Sequence, residues 1–168
     1  IMPGVNCFEC LPREHNEWSV LSDEELNLLT QAKKCRKYHT GESIFAIGEP
    51  SHGVYCIVSG GAAVRKIDAA GNSILLHLVY PGGTLGYRGV LLDEERRSSA
   101  EALGPSKICF IDRHTVQTLL ERNPTLGQQF LRRVVTDVDD AHDKLVRNAT
   151  LSNRTKFVHL LLALMNRH

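Results

Sequence analysis

The chain predicts a mainly β fold with flanking helices: a double-stranded β-helix, or jelly roll, followed by one long α-helix. Two observations carry this expectation. Between Cys35 and Asp112, short runs rich in Val, Ile, Tyr and Phe are separated by turn signals. These are Thr40-Gly41-Glu42, Gly48-Glu49-Pro50, Ser59-Gly60-Gly61, Ala70-Gly71-Asn72 and Pro81-Gly82-Gly83. Strands at such regular spacing close into a compact barrel or double-sheet roll. From Asn123-Pro124 to Thr150 the pattern then turns helical without a break.

Composition bounds the rest. A length of 168 residues fits one domain with the start of a second, and 42% apolar residues suffice for a core. Twenty basic residues against nineteen acidic ones leave a net charge of +1, which excludes a charge-driven nucleic-acid surface on this stretch. The longest apolar run, Leu160 to Met165, is too short to span a bilayer, so no membrane partner is expected. Ile1 to Val20 lacks the apolar stretch of a secretory signal, and a cytoplasmic location follows as an expectation. Five cysteines without scaffold spacing then read as cytosolic thiols, redox groups or metal ligands.

Four segments are expected in order. Residues 1–20 form a polar arm carrying Cys7-Phe8-Glu9-Cys10. Residues 21–122 form the roll with its short helices. It opens on the capping box Ser22-Asp23-Glu24-Glu25, which starts a helix with Leu26, Leu28 and Leu29 turned inward. In Ile74 to Tyr80 the alternation puts Ile74, Leu76, Leu78 and Tyr80 on one face and Leu75, His77 and Val79 on the other. Asp112 caps a short helix bearing Val116, Leu119 and Leu120. Residues 123–150 form the long helix, with Asn123 as cap and Pro124 at its first position. There Leu131, Val134, Val138, Ala141 and Leu145 recur at spacings of three and four, the pattern of a narrow seam between two helices. Phe130, Val135 and Val146 make a second stripe that suits packing on the chain's own roll; the helix length favours a homodimer through the first. Residues 151–168 form a further helix, read as the start of another domain.

Capped helix, roll with a Gly-rich turn, short helix and seam helix together resemble the sensory half of the Crp/Fnr family of bacterial transcription regulators. The most specific stretches are Leu21 to Leu26, Tyr55-Cys56-Ile57-Val58-Ser59-Gly60, the turn Gly82 to Gly89, and Lys107 to Ile111. The resemblance implies a cyclic-nucleotide-binding-like β-roll that senses a small effector and forms a homodimer. It also implies contacts with DNA and RNA polymerase made through a C-terminal helix-turn-helix domain beyond residue 168.

Effector-binding residues follow from the same resemblance: Gly86, Tyr87, Arg88, Arg97 and Ser98, with Ser99 in the alternative register. Family members that bind cyclic nucleotides carry a Glu after the turn glycine, as acceptor for the ribose hydroxyl, and an Arg-Ser pair for the phosphate. Here the Glu position holds Tyr87. Weak binding of cyclic AMP, or none, is therefore expected, and the signal is redox, oxygen, nitric oxide or a small anionic effector. The alternatives are a cyclic-nucleotide module using the turn and Arg97-Ser98, or a turn whose glycines only permit positive φ.

Cys7 and Cys10 match the first ligand pair of the family's oxygen-sensing branch, and Cys109 its distant ligand. With His15 as a fourth group they are the candidate site for an iron–sulfur cluster or another metal; the family's third arm cysteine falls at Asn16. The competing reading makes Cys109 a small buried hydrophobe and Cys7/Cys10 an ordinary dithiol. Cys35 and Cys56 carry no spacing signal and read as core. His77 reads as a structural histidine ahead of a haem ligand. No His-x-His pair and no nucleophile–base set is present, so an enzyme is not expected.

Overall fold

The computed structural model describes Cys7, residues 16–150 and the helix 153–165. The chain divides into two compact units, 1–127 and 128–168. The first is the predicted roll. Its strands are β1 (Lys34–Tyr38), β2 (Ser43–Phe45), β3 (Gly53–Ser59), β4 (Ala62–Ile67), β5 (Ser73–Val79), β6 (Thr84–Leu85), β7 (Ser99–Ala102) and β8 (Ser106–Asp112). They form two four-stranded antiparallel sheets, ordered β1-β8-β3-β6 and β2-β7-β4-β5.

The two sheets enclose an apolar core built from inward positions of both. Ile57 and Ile108 come from one sheet, and Val64, Val79 and Ala100 from the other. Truncating Ile57 or Ile108 to Ala would remove about 2–5 kcal/mol, since both are fully buried. Tyr55 stacks between Phe45 and Phe110, with ring centroids 5.6 and 5.1 Å away.

Helices close the ends of the roll. α1 (Asp23–Ala32) starts on the expected capping box, with the Ser22 hydroxyl accepting from Glu25 N and the Glu25 carboxylate accepting from Ser22 N. Leu26 and Leu29 are buried and Leu28 is half-buried. α2 (Tyr87–Leu92) follows the glycine turn. α3 (Arg113–Arg122) is capped by Asp112, whose carboxylate accepts from Thr115 N at 2.9 Å.

Asn123 terminates α3 and caps α4 (Pro124–Thr150) by accepting from Leu126 N. Its amide also donates to Val20 O and to the Glu25 carboxylate. The boundary between the two compact units falls after Gly127. The first turn of α4 belongs with the roll because Leu126 is fully buried. Before the roll, Glu17–Val20 forms a 3₁₀ turn whose Trp18 is buried.

The alternation expected in β5 is corrected. Val64 pairs His77 while Arg65 pairs Leu75, so Leu76 is an extra residue at a bulge. A bulge shifts the alternation by one position. Ile74, opposite Lys66, therefore shares a face with His77 and Val79, opposite Val64 and Ala62; Val79 is buried, and Ile74, near the start of the strand, is exposed.

The second unit comprises α4 beyond Gly127 and α5 (Asn153–Met165). Along α4, Leu131, Val138, Ala141 and Leu145 are exposed and Val134 is half-buried. Of the other stripe, Phe130 is buried, whereas Val135 and Val146 are exposed. Among the described residues no helix is long and apolar enough to cross a membrane.

Candidate functional site

The turn after β6 owes its shape to two demands on Gly86. Its φ is +76°, and a Cβ there would lie 1.9 Å from the Arg96 guanidinium. Either alone favours glycine; together they exclude a side chain. Arg96 is buried. It donates to Gly86 O at 2.8 Å and to Gly53 O at 2.6 Å, and lies over the Phe45 ring at 4.4 Å. Burial lowers its pKa from the usual guanidinium value, opposed by the nearby Tyr55 and Glu49. Arg96 thus clamps the turn to β3.

The clamped turn and the inner faces of both sheets border a cavity of about 330 Å³. Phe45, Val64, Leu76 and Leu85 supply its apolar wall. Thr84, Gly86, Tyr87 and Ser98 border it, and Lys66, His77, Arg88 and Arg97 bring basic groups. No carboxylate lines it. Glu94, just past α2, bridges the two arginines: Arg88 Nη2 lies 3.0 Å from one of its oxygens and Arg97 Nη2 3.2 Å from the other. Asp93 ends α2 with φ 55° and pairs with Arg113 of α3, which holds its carboxyl below the usual range.

The expected effector residues Gly86, Tyr87, Arg88, Arg97 and Ser98 are therefore brought together. Ser99 is not. Its hydroxyl accepts from Ile47 N at 2.9 Å and its backbone pairs with Arg65 in the sheet, while Ser98 borders the cavity. The residues missed in the sequence are Arg96, Glu94, Lys66 and Thr84. The adjacent pair Arg96-Arg97, just before β7, was the available signal, one side chain being buried and the other exposed. His77 was considered only as a structural group or haem ligand, and it borders the cavity from its position opposite Val64.

Beside the turn, Thr84 joins a buried network. Its hydroxyl accepts from Trp18 Nε1 at 3.3 Å and donates to the Glu17 carboxylate at 3.1 Å. The Cys56 sulfur lies 3.8 Å from the same oxygen. Burial pushes the Cys56 thiol up to about 12.

The cysteines require a correction. Cys35, Cys109 and Cys56 occupy directly opposite positions on β1, β8 and β3, one row across the sheet. Cys35 and Cys109 are joined in a disulfide bridging 74 residues of sequence. Cys35 is thus not simply core, and Cys109 does not offer a thiolate. Cys7 is buried and shares a small cavity with Trp18, Cys56 and Cys109. Cys10 and His15 lie outside the described residues. Among the described residues no group of three or more His, Cys, Asp or Glu is arranged to hold a metal. Of the four residues expected to hold an iron–sulfur cluster or another metal, only Cys7 and Cys109 are described, and Cys109 is held in the disulfide.

A family model described as the cyclic nucleotide-binding domain matches residues 35–123, and the chain belongs to that family. Its relatives are regulators of the Crp/Fnr kind, as expected. The transcriptional activator protein anr of Pseudomonas aeruginosa is 26% identical over 167 residues, covering 98% of this chain and 66% of that protein. The transcriptional regulatory protein btr of Bordetella pertussis is 24% identical over 128 residues, covering 76% of this chain and 52% of the relative. The chain thus spans between half and two thirds of the length of these relatives. Among solved structures, the sensor domain of the transcriptional regulator DNR from Pseudomonas aeruginosa superposes with a TM-score of 0.67 at 22% identity. The match covers 83% of this chain and 92% of that domain.

Proposed function

We propose that this chain is the effector-sensing and dimerising part of a cytoplasmic, DNA-binding transcription regulator, acting as a sensor and not as an enzyme. Its signal is a small anionic effector other than cyclic AMP. One observation carries the reading: the cavity brings Lys66, Arg88 and Arg97 to an apolar wall that Tyr87, at the turn position the resemblance gives to a carboxylate, also borders. Cations concentrated at a largely apolar cavity favour anions, because the poorly hydrated surroundings strengthen each charge-assisted contact. The exposed stripe Leu131, Val138, Ala141 and Leu145 supports a homodimer through α4. Contacts with DNA and RNA polymerase belong to the part of the whole protein beyond this chain.

Arg97 and Ser98 at the cavity favour a second reading, a cyclic-phosphate module. Titration calorimetry with cyclic AMP decides between them. The missing carboxylate removes a charged acceptor contributing about 1.5–3 kcal/mol, so weak binding or none is expected. Micromolar affinity for cyclic AMP would overturn the first reading and establish the second.

A further inference from the structure

Glu94 bridges Arg88 and Arg97 through one Nη2 of each, using its two oxygens separately. Both arginines line the cavity, and Glu94 does not. Two guanidiniums converging on two oxygens of one anionic group make the arrangement that a carboxylate or phosphate ligand takes. We infer that Glu94 is a built-in stand-in for the effector's anionic group, and that the effector is an oxyanion carried on an apolar body which displaces it. The inference rests on the anionic-effector reading above and deepens it.

The apolar body follows from the wall. Phe45, Val64, Leu76 and Leu85 leave a bare inorganic ion with nothing to bury there. The competition follows from charge. With Glu94 in place the two guanidiniums present a net charge of +1, the Arg97 Nη2 donating to one Glu94 oxygen and the Arg88 Nη2 lying in ion-pair contact with the other. A ligand that takes those donors must release the Glu94 carboxylate to water. Release is inexpensive, because all three side chains are more than a third exposed and such pairs contribute little stability. The stand-in is therefore weak enough to be displaced, yet it sets a threshold concentration for the effector. Glu94 directly follows Asp93, whose pair with Arg113 ties this segment to α3. The displaced carboxylate therefore belongs to a segment already attached to the helix preceding α4.

Calorimetric titration of phenyl phosphate and of inorganic phosphate into the 168-residue chain tests the inference. Glu94→Gln should tighten phenyl phosphate binding roughly three- to tenfold, the scale of one or two exposed ion pairs. Glu95→Gln removes the neighbouring charge, which pairs with neither arginine, and should leave affinity unchanged. Arg97→Gln should abolish measurable binding, and inorganic phosphate should bind more weakly than the phenyl ester. Unchanged or weaker binding by Glu94→Gln, or an equal gain from Glu95→Gln, overturns the stand-in while the anion pocket survives. Equal affinity for the two phosphates overturns the apolar body. Binding indifferent to Arg97→Gln, or no binding by any variant, sinks the anionic-effector reading itself.

Discussion

Arg96 and Arg97 are neighbours with opposite roles, and burial separates them. Arg96 satisfies two backbone carbonyls and fills space over Phe45. Arg97 lies on the rim, with a side chain 64% exposed. Arg96→Ala would leave Gly53 O and Gly86 O unsatisfied and open a void. It should cost about 3 kcal/mol or more in urea unfolding, whereas Arg97→Ala should change stability by less than about 0.5 kcal/mol. Equal effects from the two would refute the clamp. Cys56 makes a second prediction at this scale. Its buried thiol has a folded-state pKa near 12 against an ordinary value of 9.0. The folded protein therefore holds this proton where the unfolded chain loses it. The resulting stability is intact below pH 9 and is lost progressively as pH rises toward 12. Between pH 8 and pH 10 the loss should be on the order of 1 kcal/mol. Cys56→Ala should flatten that part of the profile, and an unchanged slope in the variant would assign it to other groups.

Among the elements, those specified by local chemistry were legible in advance. The Ser22–Glu25 box, the Asp112 cap and Asn123-Pro124 each announce a helix start through side chains that satisfy nearby backbone N–H groups. What was hidden depends on register and long-range pairing. The β5 bulge cannot be read from Ile74 to Tyr80, because an extra residue is defined only against β4. The row Cys35–Cys109–Cys56 joins residues far apart in sequence, and spacing says nothing about which strands pair. Gly86, Tyr87 and Arg88 border one cavity because they share a local turn, whereas Arg97, Ser98, Glu94 and Lys66 reach the arginines or the cavity only through the fold. The seam on α4 remains a sequence reading consistent with its exposure. Val138→Asp places a charge in that stripe and should convert dimer to monomer in light scattering, since burying such a strip on two partners contributes several kcal/mol at about 25 cal/mol per Å². An unaltered dimer would mean that the seam lies elsewhere.

For the whole roll, the covalent tie matters more than any single contact. The Cys35–Cys109 disulfide joins β1 to β8, and in sequence it spans almost every strand of both sheets. Closing a loop of 74 residues removes unfolded-state freedom amounting to about 4 kcal/mol in the chain-entropy account. β1 is an edge strand paired only with β8, so this bond and the ladder between them hold it in place. Where surrounding thiols keep cysteines reduced, the tie would be gained and lost with the redox state, because disulfides there are usually transient. Reduction should therefore lower the melting temperature of the 168-residue chain by about 10 °C. Cys35→Ser should melt like the reduced protein and respond no further to reductant, while Cys56→Ser, outside the bond, should keep the full response. If the oxidised and reduced wild-type chains melt together, the disulfide is not formed in solution. Cys35 and Cys109 would then be two thiols facing each other across the ladder, and the roll would be held by its core and its clamp alone.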